Sequence, residues 1–128
     1  MSKKFHGLLL TKEQFKFRTF NGDLQEYYDL LECTTIDITS IKFGDKYYDV
    51  ICDDEGLFKP NNHVSICSEA GSPMIVGNVI ICNHNDEGEE TSLTNHEAWE
   101  LYRHAAWTSQ PTGKNGIMET VPVLVASV

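Results

Sequence analysis

Apolar residues in this chain either alternate with polar ones or run together in short stretches, a pattern typical of β-strands. The longest such run, Met74–Cys82, is nearly all apolar, which predicts a central strand buried on both faces. Gly44 and Asp45 separate two strands and predict a two-residue hairpin turn. The predicted strands are Phe5–Leu10, Gln14–Phe20, Thr35–Phe43, Lys46–Cys52, Val64–Cys67, Met74–Cys82 and Val121–Val128.

Two segments have the apolar spacing of a helix. The first covers Asp23–Leu31, with Asn21 as its predicted N-cap. The second begins at a capping box formed by Thr94 and Glu97 and is predicted to run to about Trp107. Together, these elements predict an α+β fold with a single mixed or mainly antiparallel sheet packed with two helices.

The length of 128 residues is that of a single domain. We expect the domain to cover residues 1–107. Residues 108–128 then form a C-terminal extension that ends in Val121–Val128. Because Pro122 lies near the start of that segment, it is predicted to be an edge strand.

Charge is distributed unevenly. Residues 47–100 contain one base, Lys59, and eleven acidic residues, whereas the flanking segments are close to neutral. A phosphate backbone would be repelled by this middle segment, so the sequence predicts no direct nucleic-acid binding and favours a basic protein partner. No apolar run is long enough for a membrane span or a secretion signal, so we expect a cytoplasmic protein without membrane contact.

Much of the acidity lies in two turns that follow apolar strands ending in cysteine. Val50–Cys52 is followed by Asp-Asp-Glu-Gly at 53–56, and Ile80–Cys82 is followed shortly by Asp-Glu-Gly at 86–88. If the two strands run in the same direction, the two turns share one edge of the sheet. The sequence then predicts a single acidic face there.

Motifs that carry chemistry are incomplete. There is no P-loop, GxGxxG, GxSxG or HExxH sequence. The segment that starts at Asn83 mimics a calcium loop, but Thr94 stands where a bidentate glutamate is needed. Cys52, Cys67 and Cys82 each end an apolar stretch, which indicates reduced thiols packed near strand ends. We expect no catalytic residues, no metal and no cofactor, although a Cys–His dyad assembled by the fold stays open.

Several short motifs resemble, in their order and spacing, an uncharacterised domain family found in bacteriophages, plasmids and integrated mobile elements. The resemblance extends from about Leu8 to Tyr102 and implies a mobile-element setting but no known activity. The motifs are Asp23–Gln25, Tyr48–Cys52, Asp54–Leu57, Pro60–Asn62, Ile75–Ile81, Glu87–Gly88 and Thr91–Thr94.

Three functional hypotheses follow. The leading one is a phage or mobile-element accessory protein: a non-enzymatic anti-defence inhibitor that binds a host immune nuclease or effector. It would present carboxylates where phosphates bind, through Asp53, Asp54, Glu55, Asp86, Glu87, Glu89 and Glu90.

The first alternative is a small-ligand binder that sequesters a nucleotide immune signal. A glycine inside a strand can mark the close approach of a ligand, so the candidate residues are Asn61, Asn62, Gly77 and Asn78. The second alternative is an assembly module, a homo-oligomer formed through the apolar strand Val121–Val128.

Overall fold

A computed structural model describes residues 4–59, 62–111 and 117–128. Their strands are β1 (Phe5–Leu10), β2 (Phe15–Phe20), β3 (Ile36–Phe43), β4 (Lys46–Asp53), β5 (Val64–Cys67), β6 (Pro73–Val76), β7 (Val79–His84), β8 (Glu90–Thr91), β9 (Ala105–Gln110) and β10 (Glu119–Val125). The helices are α1 (Leu24–Leu31), α2 (Asn95–Arg103) and a 3₁₀ turn at Gly56–Phe58. The predicted α+β class with two α-helices is confirmed for the described residues.

The larger sheet has the strand order β2-β1-β7-β4-β3, with every neighbouring pair antiparallel. The short strand β8 pairs with the end of β7. Val79–Cys82 of β7 is fully buried at the centre, as the apolar run predicts. The hairpin between β3 and β4 turns at Gly44 and Asp45, and this prediction is confirmed.

The remaining strands form a smaller sheet in the order β6-β5-β10-β9, where the sequence predicted one sheet. The difference arises inside the long apolar run. Its first half is β6, which pairs with β5, and its second half is β7 in the larger sheet. Gly77 has a φ of +98° and turns the chain between the two sheets, a conformation that residues with a Cβ rarely adopt.

The larger sheet is covered on both faces. On one face, Tyr27 and Leu31 of α1 pack against sheet residues that include Ile51 and Ile80. On the other face, a second apolar cluster joins sheet residues to Leu101 of α2 and to Ile66 and Leu124 of the smaller sheet. Burying side chains of this size stabilises a fold by about 1.5–3 kcal/mol each, so these two interfaces hold the layers together.

The C-terminal strand is interior, and the prediction of an edge strand is wrong. β10 pairs antiparallel with β9 along its length and parallel with β5 at Leu124 and Val125. The β5 pairing begins beyond Pro122, so the missing N–H of that residue does not interrupt it. Residues 119–125 therefore belong to the packed domain. Self-association through this strand would compete with its pairing to β5 and β9.

Both helices have well-formed N-termini, but two predicted boundaries are wrong. The N-cap of α1 is Asp23, whose side chain accepts from the N–H of Glu26, and Asn21 lies outside the helix. The predicted capping box of α2 is present. That helix ends at Arg103, because residues 105–110 pair with β10 as β9, and this tertiary pairing overrides the local helical pattern. Neither helix in the described ranges has the length and apolar character needed to cross a bilayer.

Candidate functional site

The two acidic turns lie at opposite ends of one strand pair. β4 and β7 are antiparallel neighbours, with Cys52 opposite Val79 and Asp49 opposite Cys82. The turn after β4 and the turn after β7 therefore lie on opposite sides of the larger sheet, each at the end of its strand. The condition for a shared edge, two strands running in the same direction, is not met, and the seven predicted acidic residues divide between two surfaces.

In the first turn, Asp53 differs from its neighbours. It is only 8% exposed, its carboxylate pairs with the ammonium of Lys59, and it accepts the N–H of Glu55 at 2.9 Å. Asp54 and Glu55 are exposed. Asp53 is thus a structural anchor of the turn, and the next two carboxylates are available to a partner.

Two large apolar side chains follow directly after these carboxylates. Leu57 is 78% exposed and Phe58 is 85% exposed on the 3₁₀ turn. The buried Gly56 sets this turn against β6, where a Cβ on Gly56 would lie 2.5 Å from the carbonyl oxygen of Val76. Exposed apolar side chains in a fixed turn, next to charged ones, are typical of a protein contact. We call residues 54–58 the acidic–apolar turn.

The second turn is organised by Asn85. The Asn85 side-chain carbonyl accepts the N–H groups of Glu87 and Glu89, both at 3.0 Å. Asp86 and Glu87 are exposed, whereas Glu89 is half-buried and bonded by the amide of Asn85. Half-buried Glu90 accepts the hydroxyl of Tyr27 at 3.0 Å. Two of the four predicted residues in this turn therefore have structural roles.

A small cavity forms where the end of α1, the loop after β4 and the link from β6 to β7 meet. Its volume is about 240 Å³. Three of the four predicted ligand residues line it, and Asn61 lies outside the described residues. The lining residues are Leu31, Glu32, Asp53, Lys59, Asn62, Gly77 and Asn78.

Hydrogen bonds within the wall use most of the polar groups of this cavity. Lys59 Nζ donates to the carbonyl of Glu32 at 2.8 Å, and Asn78 Nδ2 donates to the carbonyl of Leu30 at 3.0 Å. Both bonds satisfy carbonyls at the C-terminal end of α1. Asn62 Nδ2 donates to the carbonyl of Gly56 at 3.1 Å. These hydrogen bonds connect the wall of the cavity to the C-terminal end of α1 and to the acidic–apolar turn.

Burial shifts the pKa values of three cysteines and one histidine in the core toward their neutral forms. Burial raises the pKa of the Cys52 thiol to about 11 and also raises the pKa of Cys33 and Cys82. Thiols with raised pKa values are poor nucleophiles at neutral pH. Burial lowers the pKa of His63, which is 4% exposed, and its Nε2 has no hydrogen-bond partner among the described residues. Within the same residues, no cluster of three or more histidine, cysteine or acidic side chains is placed to hold a metal ion.

The fold defines the class of protein: an α+β domain whose central antiparallel sheet lies between a helix and a layer made of a second sheet and a second helix. The chain belongs to the family described as Domain of unknown function (DUF3846), whose model matches residues 6–105. This confirms the resemblance to an uncharacterised family, and the mobile-element origin stays a prediction. Comparisons with curated proteins and with solved structures each give no match.

Sequence reasoning missed Leu57, Phe58 and Lys59. A signal was present, since two adjacent apolar residues stand between Gly56 and Pro60, outside every predicted strand and helix. Apolar residues that no strand or helix pattern buries are candidates for exposure. The role of Lys59 had no comparable signal, because its partners Asp53 and Glu32 come from separate elements.

Proposed function

We propose that this domain is a phage or mobile-element accessory protein that acts in the cytoplasm of a bacterial host as a non-enzymatic anti-defence inhibitor. It binds a host immune nuclease or effector that has a basic nucleic-acid-binding surface. The acidic–apolar turn makes the main contact: Asp54 and Glu55 take positions of phosphates, and Leu57 and Phe58 enter an adjacent apolar site. Asp86 and Glu87 form a separate acidic edge.

The exposure of Leu57 and Phe58 beside two exposed carboxylates is the single observation that carries this proposal. Charge alone gives fast association but little specificity, whereas a central apolar anchor gives affinity. The anchoring of the turn by Asp53 and Lys59 also supports it, since a turn held before binding loses less conformational entropy on binding. The mobile-element setting rests on the family resemblance.

The test is affinity capture from a bacterial lysate with matched variants. Reversing charge in the first turn (Asp54→Lys with Glu55→Lys) and in the second (Asp86→Lys with Glu87→Lys) changes net charge equally at opposite edges. We expect the first variant and Leu57→Ser with Phe58→Ser to lose the captured partner, while the second-turn variant retains it. A partner that is retained by both first-turn variants, or no specific partner for the native chain, would contradict the proposal.

The cavity favours a second candidate, a small-ligand binder. Asn62, Gly77 and Asn78 meet there as the ligand hypothesis requires. Its volume is below the roughly 300–1,000 Å³ usual for ligand pockets, and Glu32 and Asp53 outnumber Lys59 in its wall. This candidate therefore ranks below the protein-binding one, above all for an anionic nucleotide signal.

Thermal unfolding in the presence of mono-, di- and cyclic nucleotides tests this second candidate. A ligand at a hundred times its dissociation constant raises stability by about 2.7 kcal/mol, so specific binding gives a clear shift in Tm. The shift should disappear in Asn62→Asp, which adds a negative charge to the cavity. The absence of any shift at about 1 mM nucleotide would remove the ligand-binding candidate.

A further inference from the structure

The free edge of the larger sheet has unusual aromatic character. β2 ends the strand order, and β1 is its strand partner within the described residues. Phe15 and Phe17 lie on the face of β2 that is turned toward α2. Their rings are 5.6 Å apart, and Phe15 contacts Tyr102, which stacks on Trp99. Trp99 and Tyr102 are 59% and 58% exposed. The result is a continuous row of aromatic rings beside an open strand edge.

The backbone of β2 points unpaired groups outward at these same aromatic positions. The hairpin closes with the Thr11 N–H donating to the Gln14 carbonyl, and antiparallel ladders alternate bonded and non-bonded pairs. Counting from that bond, Lys16 and Arg18 direct their N–H and C=O groups toward β1. Phe15 and Phe17 direct theirs away from the sheet. Consistently, the Arg18 side chain donates to the outward carbonyl of Thr19 at 3.2 Å.

A groove runs between this edge and α2. It has a volume of about 420 Å³, and Phe17, Leu93 and Ala98 supply its apolar lining. His6, Arg18 and Thr19 are polar residues at its margin. A strand added beside β2 would place every second side chain on the face that carries Phe15 and Phe17, at the outer margin of this groove, because side chains alternate between the faces of a sheet.

Basic side chains on the opposite face of β2 favour an added strand that carries acidic residues on that face. Lys16 and Arg18 lie there, and residues opposite each other in an antiparallel pair share a face. Arg18 already pairs with Glu26 of α1 at 3.7 Å and lies over the Phe20 ring, so Lys16 is the base that an added strand would meet. A second copy of β2 is disfavoured, since registers centred on Lys16, Phe17 or Arg18 each place one of these bases opposite another. An acidic residue in the added strand would instead meet an opposite charge.

We propose that the β2 edge and the groove beside α2 bind an extended segment of a partner protein in which acidic and apolar residues alternate. The segment adds a strand to the larger sheet by pairing with the backbone of Phe15 and Phe17. Its apolar side chains pack against Phe15 and Phe17 beside the groove, and its carboxylates face Lys16. This surface is separate from the acidic–apolar turn and has the opposite charge preference.

The test uses the full chain and two fluorescent peptides, one alternating glutamate with valine and one alternating lysine with valine. Anisotropy should show binding of the glutamate peptide and no binding of the lysine peptide. Lys16→Glu should weaken the glutamate peptide by roughly threefold and improve the lysine peptide. Phe17→Pro removes an outward N–H and should abolish binding, whereas Phe17→Ala keeps that N–H and should retain part of the affinity.

Three results would overturn the proposal. The first is no binding of the glutamate peptide up to about 1 mM. The second is equal binding of both peptides by the native chain. The third is a dimer of the native chain that Phe17→Pro dissociates, which would assign the edge to a second copy. Because Lys16→Glu changes an exposed side chain, the charge comparison stands even if Phe17→Pro fails to fold.

Discussion

The two acidic turns are alike in sequence and different in structure. Each follows a buried strand, and each contains acidic residues followed by a glycine. The first is packed against β6 at Gly56, is anchored by a buried carboxylate, and holds Leu57 and Phe58 in solvent. The second is closed by hydrogen bonds to Asn85, and its Gly88 has open space around it. Acidity by itself therefore does not distinguish a binding surface from a hydrophilic turn.

Substituting the glycine of each turn should give the largest difference in stability between the two turns. A Cβ at Gly56 would lie 2.5 Å from a backbone oxygen of Val76, so Gly56→Ala should lower the free energy of unfolding by about 2–3 kcal/mol. Gly88 has a φ of +80° with nothing within 4 Å. Gly88→Ala should cost only the left-handed strain of about 1 kcal/mol. Urea unfolding measures both, and equal costs would remove the distinction in packing.

Removing one carboxylate from each turn should give the next largest difference in stability. Asp53 is buried and bonded to Lys59, so Asp53→Ala should destabilise the domain by about 2 kcal/mol. Asp86 is exposed, and Asp86→Ala should change stability by less than about 0.5 kcal/mol. The same denaturation series compares them. A neutral Asp53→Ala would mean that Asp53 does not anchor the first turn.

The free energy of unfolding should also depend on pH through His63, which lies near the first turn. Burial lowers the pKa of His63 below its usual 6.5, so the unfolded chain binds a proton more readily than the folded one. Protonation then favours unfolding. Stability should fall as pH drops below 6.5 and level off below the lowered pKa. His63→Leu should flatten this part of the profile, and an unchanged slope in that variant would assign it to other groups.

Replacing the exposed apolar residues Leu57 and Phe58 should have the smallest effect on stability. Leu57 and Phe58 are almost fully exposed, so Leu57→Ser with Phe58→Ser should change the free energy of unfolding by no more than about 0.5 kcal/mol. A thermal melt of the double variant checks this. A loss of several degrees in Tm would show that these side chains pack within the domain and are not available to a partner.

Local sequence patterns predicted most of the helices and strands, whereas long-range strand pairing determines which sheet each strand joins. The hairpin at Gly44 and the capping box at Thr94 follow from neighbouring residues, and both are present. The break at Gly77 joins strands of two different sheets, and an apolar run from Met74 to Cys82 does not reveal which partners its halves choose. The interior position of β10 likewise depends on β5, which is far away in the chain.

For the candidate sites, composition identified acidic residues but not their surroundings. Whether Asp53 is buried depends on Lys59, and whether Glu90 is bonded depends on Tyr27 of α1. The antiparallel arrangement of β4 and β7 separates turns that looked equivalent. In contrast, Asn62, Gly77 and Asn78, the candidates of the ligand hypothesis, line one cavity, although Gly77 lies in the break between β6 and β7 and not inside a strand.

Amide hydrogen exchange of the domain, alone and bound to its captured partner, tests the central claim most directly. If the acidic–apolar turn is the main contact, exchange should slow at residues 54–59 on binding and stay unchanged at residues 85–89. Slower exchange at 85–89 with none at 54–59 would contradict that account, because it would place the partner on the opposite edge of the sheet.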